Sequence, residues 1–159
     1  MLKGMYIALR DLQNSDIDFL EYIENNQQNW QYGSERKKYT KQDLASYIAN
    51  ATTDITLANQ YRFVIDLKKI PIGFIDLFDY TKKSAQIGVI IDSDYRKRGF
   101  AKEALTLLIE YAFFVLNIEQ LHAVVEKNNL ASIQLFHSCR FTLERETSEL
   151  QYFIKLAKN

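Results

Sequence analysis

The chain has 159 residues, which fits one domain spanning residues 1–159 and is long enough to bury a core without disulfides. Twenty Lys and Arg balance twenty Asp and Glu, so the net charge gives no support for a nucleic acid or an anionic membrane as a partner. The single Cys excludes an internal disulfide framework, and with two His it forms no zinc site at the usual spacings. The N-terminus lacks the apolar segment of a signal peptide, and no apolar run is long enough to span a membrane, so we expect a cytoplasmic protein.

The first third of the chain reads as one strand and two helices. Residues 5–9 have the two-residue period of a half-buried strand, and Ser15 is a candidate N-cap for the first helix. Segment 25–39 has no period and is interpreted as a long loop. Thr40, followed three residues later by Asp43, resembles a capping box and predicts the second helix.

The middle of the chain contains three strands and a long helix. Segments 61–66, 72–79 and 86–92 are rich in strand-forming residues and are joined by short turns, which predicts an antiparallel meander. Segment 101–116 then carries apolar residues at helical spacing over four turns.

The last part of the chain predicts a strand at 121–126, a helix capped by Asn128 or Asn129, and a hairpin of strands at 141–146 and 150–156. Cys139 falls on the apolar stripe of that helix and is expected to be buried. The element order β-α-α-β-β-β-α-β-α-β-β predicts an α+β fold in which a helical crossover links only the fourth and fifth strands.

The junction between the fourth strand and the long helix is a candidate anion site. Arg96, Lys97 and Arg98 precede Gly99, which stands where the helix begins. The first turn of a helix offers four unpaired N–H groups and the positive end of the helix dipole, and glycine lets an anion approach the backbone. This combination suits a phosphate or pyrophosphate, and the alternative is an ordinary solvated basic helix start.

Two segments carry a family resemblance. Arg96-x-x-Gly99-x-Ala101 after the fourth strand is similar to the acetyl-CoA loop of the GCN5-related N-acetyltransferases, the GNAT family. Asn129-x-x-Ser132, leading to Phe141, resembles the second signature of the same family. The resemblance extends over nearly the whole chain and is closest to the branch of ribosomal-protein N-terminal and spermidine acetyltransferases. It implies a mixed, mostly antiparallel sheet of about seven strands with helices on both faces.

The implied function is transfer of an acetyl group from acetyl-CoA to a primary amine by direct attack on the thioester. The acceptor stays open between a polyamine, a peptide N-terminus and another small amine, and no metal is implied. By the same resemblance, residues 96–101 and Lys102 hold the phosphates, and the strand-four backbone binds the pantetheine arm. Asn129 bonds that arm or serves only as a helix N-cap. The expected cofactor-binding residues are Val89, Ile90, Ile91, Arg96, Lys97, Arg98, Gly99, Phe100, Ala101, Lys102 and Asn129.

The catalytic groups depart from the family pattern. Phe136 stands where many relatives have a proton-donating tyrosine, and Gln86 stands where a glutamate is common. A backbone N–H of residues 89–91, assigned to Ile91, is expected to stabilise the oxyanion. Candidate substitute proton carriers are Asp76, Glu126, His137 and Ser138, with a surface histidine as the alternative for His137. Because these departures affect the acid and base, a non-catalytic acyl-CoA-binding module is the alternative function, and a protein-interaction domain is a third hypothesis.

Substrate contacts are expected from acidic and aromatic residues. Asp76 and Asp79 on the third strand are predicted to hold a cationic amine, or else to be a solvent-facing acid and a turn acid. Trp30 and Tyr32, with acidic neighbours in sequence, are predicted to form the acceptor mouth. The exposed edge of the last hairpin predicts a homodimer.

Overall fold

The central feature of the computed structural model, which describes residues 1–26 and 38–158, is a mixed sheet. Within those residues the sheet has eight strands in the order β1-β2-β3-β4-β5-β6-β8-β7. The prediction of an α+β fold is confirmed, with one more strand than the seven expected. The strands are β1 Leu2–Lys3, β2 Ala8–Asp11, β3 Tyr61–Leu67, β4 Ile70–Phe78, β5 Ser84–Ile91, β6 Gln120–Glu126, β7 Thr142–Glu146 and β8 Leu150–Leu156.

Five α-helices accompany the sheet in the described part of the chain. They are α1 Ile17–Asn25, α2 Lys41–Asn50, α3 Ile55–Ala58, α4 Phe100–Glu110 and α5 Leu130–Ser138. The predicted capping box is present, because the Thr40 hydroxyl accepts from Asp43 N–H and the Asp43 carboxylate accepts from Thr40 N–H, both at 3.1 Å. None of the described helices is both long and apolar enough to cross a membrane.

Helices cover both faces of the sheet because alternate strand residues point to opposite sides. Phe63 and Ile65 belong to the larger core, which packs against α4, whereas Val64 belongs to a second core with α1 and α2. All three side chains are buried. The prediction of helices on both faces is confirmed.

The strand predicted at residues 5–9 corresponds to β2, which begins later than predicted, at Ala8. The Gly4 N–H donates to Ile7 O at 2.8 Å, which makes a turn. The N–H groups of Tyr6 and Ile7 donate to the Glu103 carboxylate on α4, at 3.0 and 3.1 Å, instead of to a neighbouring strand. A Cβ at Gly4 would lie 2.0 Å from Glu103 Oε2, so a larger residue there would have to displace this carboxylate.

The long helix also ends differently from the prediction over 101–116. After Glu110 it continues as a wider π-helical turn, Tyr111–Val115, in which Leu116 N–H donates to Tyr111 O. The wider turn keeps Ala112 buried while Phe114 is 80 % exposed. Regular helical spacing therefore holds only to Glu110.

The helical crossover joins β5 to β6, as predicted, and these two strands pair in parallel. Their pairing covers only Ser84–Gln86 against Gln120–His122. Within the part of the chain that the structure describes, the later residues of β5 pair with β4 alone, and those of β6 pair with β8. The two strands therefore separate beyond Gln86 and leave a gap within the sheet.

Candidate active site

The gap between β5 and β6 exposes backbone groups of β5. The Asp92 N–H donates to Ile72 O at 2.8 Å, so Asp92 and Ile72 form a hydrogen-bonded pair. Hydrogen-bonded and non-hydrogen-bonded residue pairs alternate along antiparallel strands, so this bond fixes which residues of β5 bond to β4. In that register Ile90 directs its N–H and C=O toward β4. Val89 and Ile91 direct theirs into the gap. An extended ligand lying in the gap would therefore find strand-like hydrogen-bonding partners at Val89 and Ile91.

The gap opens into a cleft of about 1140 Å³. Its walls come from α1, α2, the four strands β3 to β6, and α5. Because so many elements contribute, the cleft depends on the whole fold rather than on one loop.

The segment after β5 presents the first turn of α4 to solvent. Lys97 and Gly99 both have left-handed backbone conformations, with φ of 61° and 85°. Gly99 is the N-cap of α4, and among the described residues no side chain caps the helix there. A Cβ at Gly99 would meet nothing within 4 Å, so the space around the turn is open. The N–H groups of Phe100, Ala101 and Lys102 are therefore available to an anion.

The basic residues of this loop have different environments. Arg96 Nε donates to Ile91 O at 2.9 Å, which ties the loop to the end of β5. The Arg98 guanidinium lies over the rings of Tyr95 and Phe100, at 5.5 and 5.1 Å from their centroids. Phe100 is buried in the larger core and anchors the helix start, whereas Lys97 and Lys102 are exposed.

The opposite wall of the cleft includes the start of α5. Asn129 is the N-cap, and its Oδ1 accepts from Ser132 N–H at 3.2 Å. Both residues line the cleft. The cap occupies the oxygen of the Asn129 side chain, so its amide NH₂ is the group able to donate to a ligand.

The acceptor side of the cleft contains a partly buried row of charges. Arg62 on β3 is opposite Asp76 on β4, and Asp76 is opposite Gly88 on β5. Arg62 Nη1 lies 2.6 Å from Glu24 Oε1 of α1, and its guanidinium stands over the Tyr47 ring at 5.5 Å. All five residues line the cleft.

Burial and charge shift the pKa values in this row. Burial raises the pKa of Asp76 above its ordinary value; the Arg62 cation opposes that shift, and the Glu24 carboxylate adds to it. Burial alone would lower the pKa of Arg62, but Asp76, Tyr47 and Glu24 raise it above its ordinary value. A carboxyl group with a raised pKa in a cleft is a functional-site candidate.

Comparison with known proteins agrees with this geometry. The sequence model of the acetyltransferase (GNAT) domain matches residues 7–142. The chain belongs to the GNAT acetyltransferase family. This acetyltransferase uses acetyl-CoA as its co-substrate and transfers the acetyl group to an amine, as the sequence predicts.

Individual relatives extend over nearly the whole chain. The spermidine N(1)-acetyltransferase of Escherichia coli (strain K12) is 25 % identical over 150 residues, which are 93 % of this chain and 78 % of the relative. A GNAT-family acetyltransferase structure from Bacillus anthracis has a TM-score of 0.85 at 17 % identity and 99 % coverage of both chains. A structure of Vibrio cholerae spermidine N-acetyltransferase with CoA and spermine has a TM-score of 0.85 at 23 % identity and 97 % coverage of both. These structures share the fold of this acetyltransferase.

The structure brings most predicted site residues of the acetyltransferase to this cleft or to the loop at the start of α4. Asp79 is exposed in a left-handed turn after β4 and also lines the cleft. Its position therefore fits both an acid that holds the amine and a turn acid. Glu126 lines the cleft from the end of β6. Trp30 and Tyr32 lie outside the described residues.

Other predicted proton carriers lie apart from the cleft. His137 is exposed, and its ring packs edge-on against Phe153 at 5.1 Å between centroids, away from the cleft lining. Ser138 Oγ donates to Leu135 O at 2.7 Å. Cys139 is buried, as predicted.

Phe136 does line the cleft, where it packs against Phe141 with ring centroids 5.1 Å apart. Its position matches the one predicted for the family tyrosine, but a phenyl ring has no proton to donate. The acetyltransferase therefore lacks a phenolic hydroxyl at this point of the cleft.

The sequence pattern does not single out three residues that lie near Asp76 in the cleft: Tyr47, Arg62 and Gly88. Arg62 and Gly88 each lie on a predicted strand, but only the register between strands places them beside Asp76. Tyr47 reads from sequence as an ordinary apolar position of an amphipathic helix. An Arg on a strand with buried neighbours was the one local signal available, since buried arginines are rare without a partner.

Proposed function

We propose that this acetyltransferase acetylates a primary amine of a small polycationic molecule of the polyamine class. The observation that carries the proposal is the charge of the cleft. Among the described lining residues there are five carboxylates, one guanidinium and no lysine or histidine. The carboxylates are Glu24, Asp43, Asp76, Asp79 and Glu126.

An acid-lined cleft favours a substrate with several ammonium groups. Opposite charges at about 4 Å interact by roughly 4 kcal/mol at the effective dielectric near a protein surface, so a second ammonium on the acceptor strengthens binding. A peptide N-terminus lacks that regular second cation. The names of relatives support the same class, because one is a spermidine N(1)-acetyltransferase and one structure contains spermine.

The other end of the site accounts for acetyl-CoA. The open first turn of α4, with Gly99 at its start, offers N–H groups to the pyrophosphate, and Lys97 and Lys102 are exposed cations beside it. The gap between β5 and β6 receives the pantetheine arm along Val89 and Ile91. Arg98 has a supporting role in this proposal, since its guanidinium is stacked on two rings of the loop.

The reaction then needs an oxyanion donor and a deprotonated amine. The Val89 N–H directs into the gap and is the donor that stabilises the tetrahedral oxyanion. An aliphatic ammonium has a pKa near 10.4, so it must lose a proton before its nitrogen attacks the thioester carbon. Positioning of the two substrates supplies roughly 7–11 kcal/mol of barrier lowering even without a phenolic acid at Phe136.

A charge series of amines tests the acceptor class. Thiol release from acetyl-CoA would be measured with spermidine, 1,4-diaminobutane, butylamine, an N-terminal peptide and an amino sugar. We expect kcat/KM for 1,4-diaminobutane to exceed that for butylamine at least tenfold, and the ratio to shrink at high salt. Equal values for the two amines, or a preference for the peptide or sugar, would contradict the proposal.

We further propose that residues 1–159 act as one domain, in the cytoplasm where acetyl-CoA is available, and as a homodimer without a nucleic acid or membrane partner. Support for the dimer is the outer strand β7, whose five residues are all exposed and which pairs only with β8. Light scattering at micromolar concentration is expected to give twice the 18.7 kDa chain mass. A monomeric mass would contradict the proposed dimer and would leave the proposed acetylation of polyamines unaffected.

A further inference from the structure

We infer that the Asp76 carboxylate is the general base that takes the proton from the acceptor ammonium, and that Arg62 and Glu24 are its positioning residues. The inference rests on the proposed function, because it requires an amine to enter the acid-lined cleft. It assigns a base to a site in which Gln86 cannot act as one.

The position of Asp76 relative to the reaction centre follows from the sheet register. Asp76 is directly opposite Gly88, and a Cβ on Gly88 would lie 3.0 Å from Asp76 Oδ1. The carboxylate therefore lies over the backbone of Gly88, where glycine leaves room for it. Val89, whose N–H points into the gap, is the next residue, and strands rise about 3.4 Å per residue. The base and the oxyanion donor are thus neighbours.

The remaining cleft carboxylates are placed differently. Asp43 is engaged in the capping box of α2. Asp79 lies beyond the end of β4 in an exposed turn, and Glu126 lies on the far wall, at the end of β6. Asp76 alone among the described cleft carboxylates is opposite a β5 residue adjoining Val89.

The surroundings of Asp76 suit a base rather than a simple anion site. Arg62 faces it from β3, Glu24 from α1 and Tyr47 from α2, while β5 offers only neutral groups. Arg62 is held in place by its 2.6 Å ion pair with Glu24 and by the Tyr47 and Phe74 rings. Burial raises the pKa of Asp76 above its ordinary value, and the Arg62 cation opposes that rise.

The step balances as follows. The ammonium N–H bond breaks, and its proton moves to an Asp76 carboxylate oxygen, which leaves a neutral amine. The amine nitrogen forms a bond to the thioester carbon, and the C–S bond then breaks to release the thiolate of CoA. The second proton lost by nitrogen neutralises the thiolate through water, and the Asp76 proton returns to solvent. No oxidant or other co-reactant is needed.

The Asp76→Asn variant tests the base directly. It keeps the shape of the side chain but cannot accept the proton, so we expect kcat with spermidine to fall at least 100-fold. The Kd for acetyl-CoA, measured by calorimetry, should stay within twofold and shows that the variant is folded. Asp79→Asn is the matched comparison, in which KM for spermidine rises while kcat stays within threefold.

The positioning residues give shifts of opposite sign in the pH profile. The acid limb of kcat/KM reports the ionisation of the base in the free enzyme. Arg62→Gln removes the cation that opposes protonation, so the midpoint of the limb should move up by about half a pH unit or more, and Arg62→Lys should restore it. Glu24→Gln removes a neighbouring anion, so its midpoint should move down. A purely structural role would not produce opposite shifts.

Different outcomes contradict the role of Asp76 as the base and the acetylation of polyamines. Turnover of spermidine by the wild type with an unimpaired kcat in Asp76→Asn would overturn this inference and leave the proposed function intact. Unmoved midpoints, or shifts of Arg62→Gln and Glu24→Gln in the same direction, would also overturn it. Absence of polyamine acetylation by the wild type would instead contradict the proposed function.

Discussion

At the scale of single residues, Gly99 has the most direct consequence for cofactor binding. Its φ of 85° is costly for a residue with a Cβ, by about 1–2 kcal/mol, although the space around it is open. The conformation, rather than close packing, is therefore what requires glycine at this position. It turns the chain so that the amides of the first turn of α4 face outward together.

We predict that Gly99→Ala lowers the free energy of unfolding by about 1 kcal/mol and raises the Kd for acetyl-CoA at least tenfold. The backbone must either stay strained or rotate, and rotation moves the amides that bind the pyrophosphate. Urea unfolding and calorimetry measure the two effects. Asn117→Ala is the matched control, since Asn117 also has a left-handed φ, 57°, but lies between the π-helical turn and β6. An unchanged Kd in Gly99→Ala would contradict this account of the loop.

At the scale of elements, we propose that α5 combines a structural and a ligand-binding role in one side chain. Asn129 caps the helix through its oxygen, and its amide NH₂ remains for the pantetheine arm. The two roles can be separated, because serine caps a helix as well as asparagine does but has no amide.

We predict that Asn129→Ser keeps the free energy of unfolding within about 0.5 kcal/mol but raises KM for acetyl-CoA several-fold, whereas Asn129→Ala also lowers stability by about 1 kcal/mol. Thermal or urea unfolding and steady-state kinetics distinguish the cases. If KM in Asn129→Ser equals the wild-type value, Asn129 is an N-cap alone.

Elements with strong local signals could be predicted from the sequence. The Thr40 capping box, the meander and the spacing of the long helix depend on residues close together in the chain; the first two are present, and the helical spacing holds to Glu110. The four-residue α3 is too short to show a period, and β1 has two residues. The start of β2 depends on Glu103, which is almost a hundred residues away in sequence. Sequence spacing cannot show such a contact.

At the scale of the whole molecule, a balanced net charge conceals an uneven distribution. The described lining of the cleft is acidic, although Lys and Arg equal Asp and Glu over the chain. The proposed cofactor loop is visible in the sequence because its signature is continuous, and its role stays a prediction. The row from Glu24 through Arg62 to Asp76 could not be predicted, since it joins a helix and two strands and depends on their register.

A second charged network holds the N-terminal part of the fold together. Arg10 of β2 makes two bonds to Asp16, at 2.8 and 2.9 Å, and one to Asp66 of β3 at 2.6 Å. Asp16 is 3 % exposed. Burial alone would raise its pKa, but the Arg10 guanidinium and the Gln13 N–H outweigh burial and hold the pKa below its ordinary value.

We predict that this network makes the protein acid-labile. Because the pKa of Asp16 is lower in the folded than in the unfolded state, the ionised carboxylate stabilises the fold at pH values above the unfolded pKa of about 3.9. That stabilisation is lost as the pH falls through the folded pKa. Asp16→Asn should lower the free energy of unfolding at pH 7 by about 3 kcal/mol, because it breaks a buried ion pair. The free energy of unfolding of this variant should also decrease less steeply than that of the wild type between about pH 5 and pH 3. Urea unfolding across this range measures both effects. Asp18→Asn, at an exposed carboxylate, should change neither, and an unchanged slope in Asp16→Asn would contradict the role of the network.

The measurement that tests the central claim most directly is a crystal structure of the protein with CoA and spermidine bound. We predict the pyrophosphate on the amides of residues 100–102, the pantetheine arm hydrogen-bonded to Val89 and Ile91, and a spermidine nitrogen within hydrogen-bonding distance of Asp76. A closed gap between β5 and β6 with CoA bound elsewhere, or an amine held away from the acidic cleft, would contradict the account.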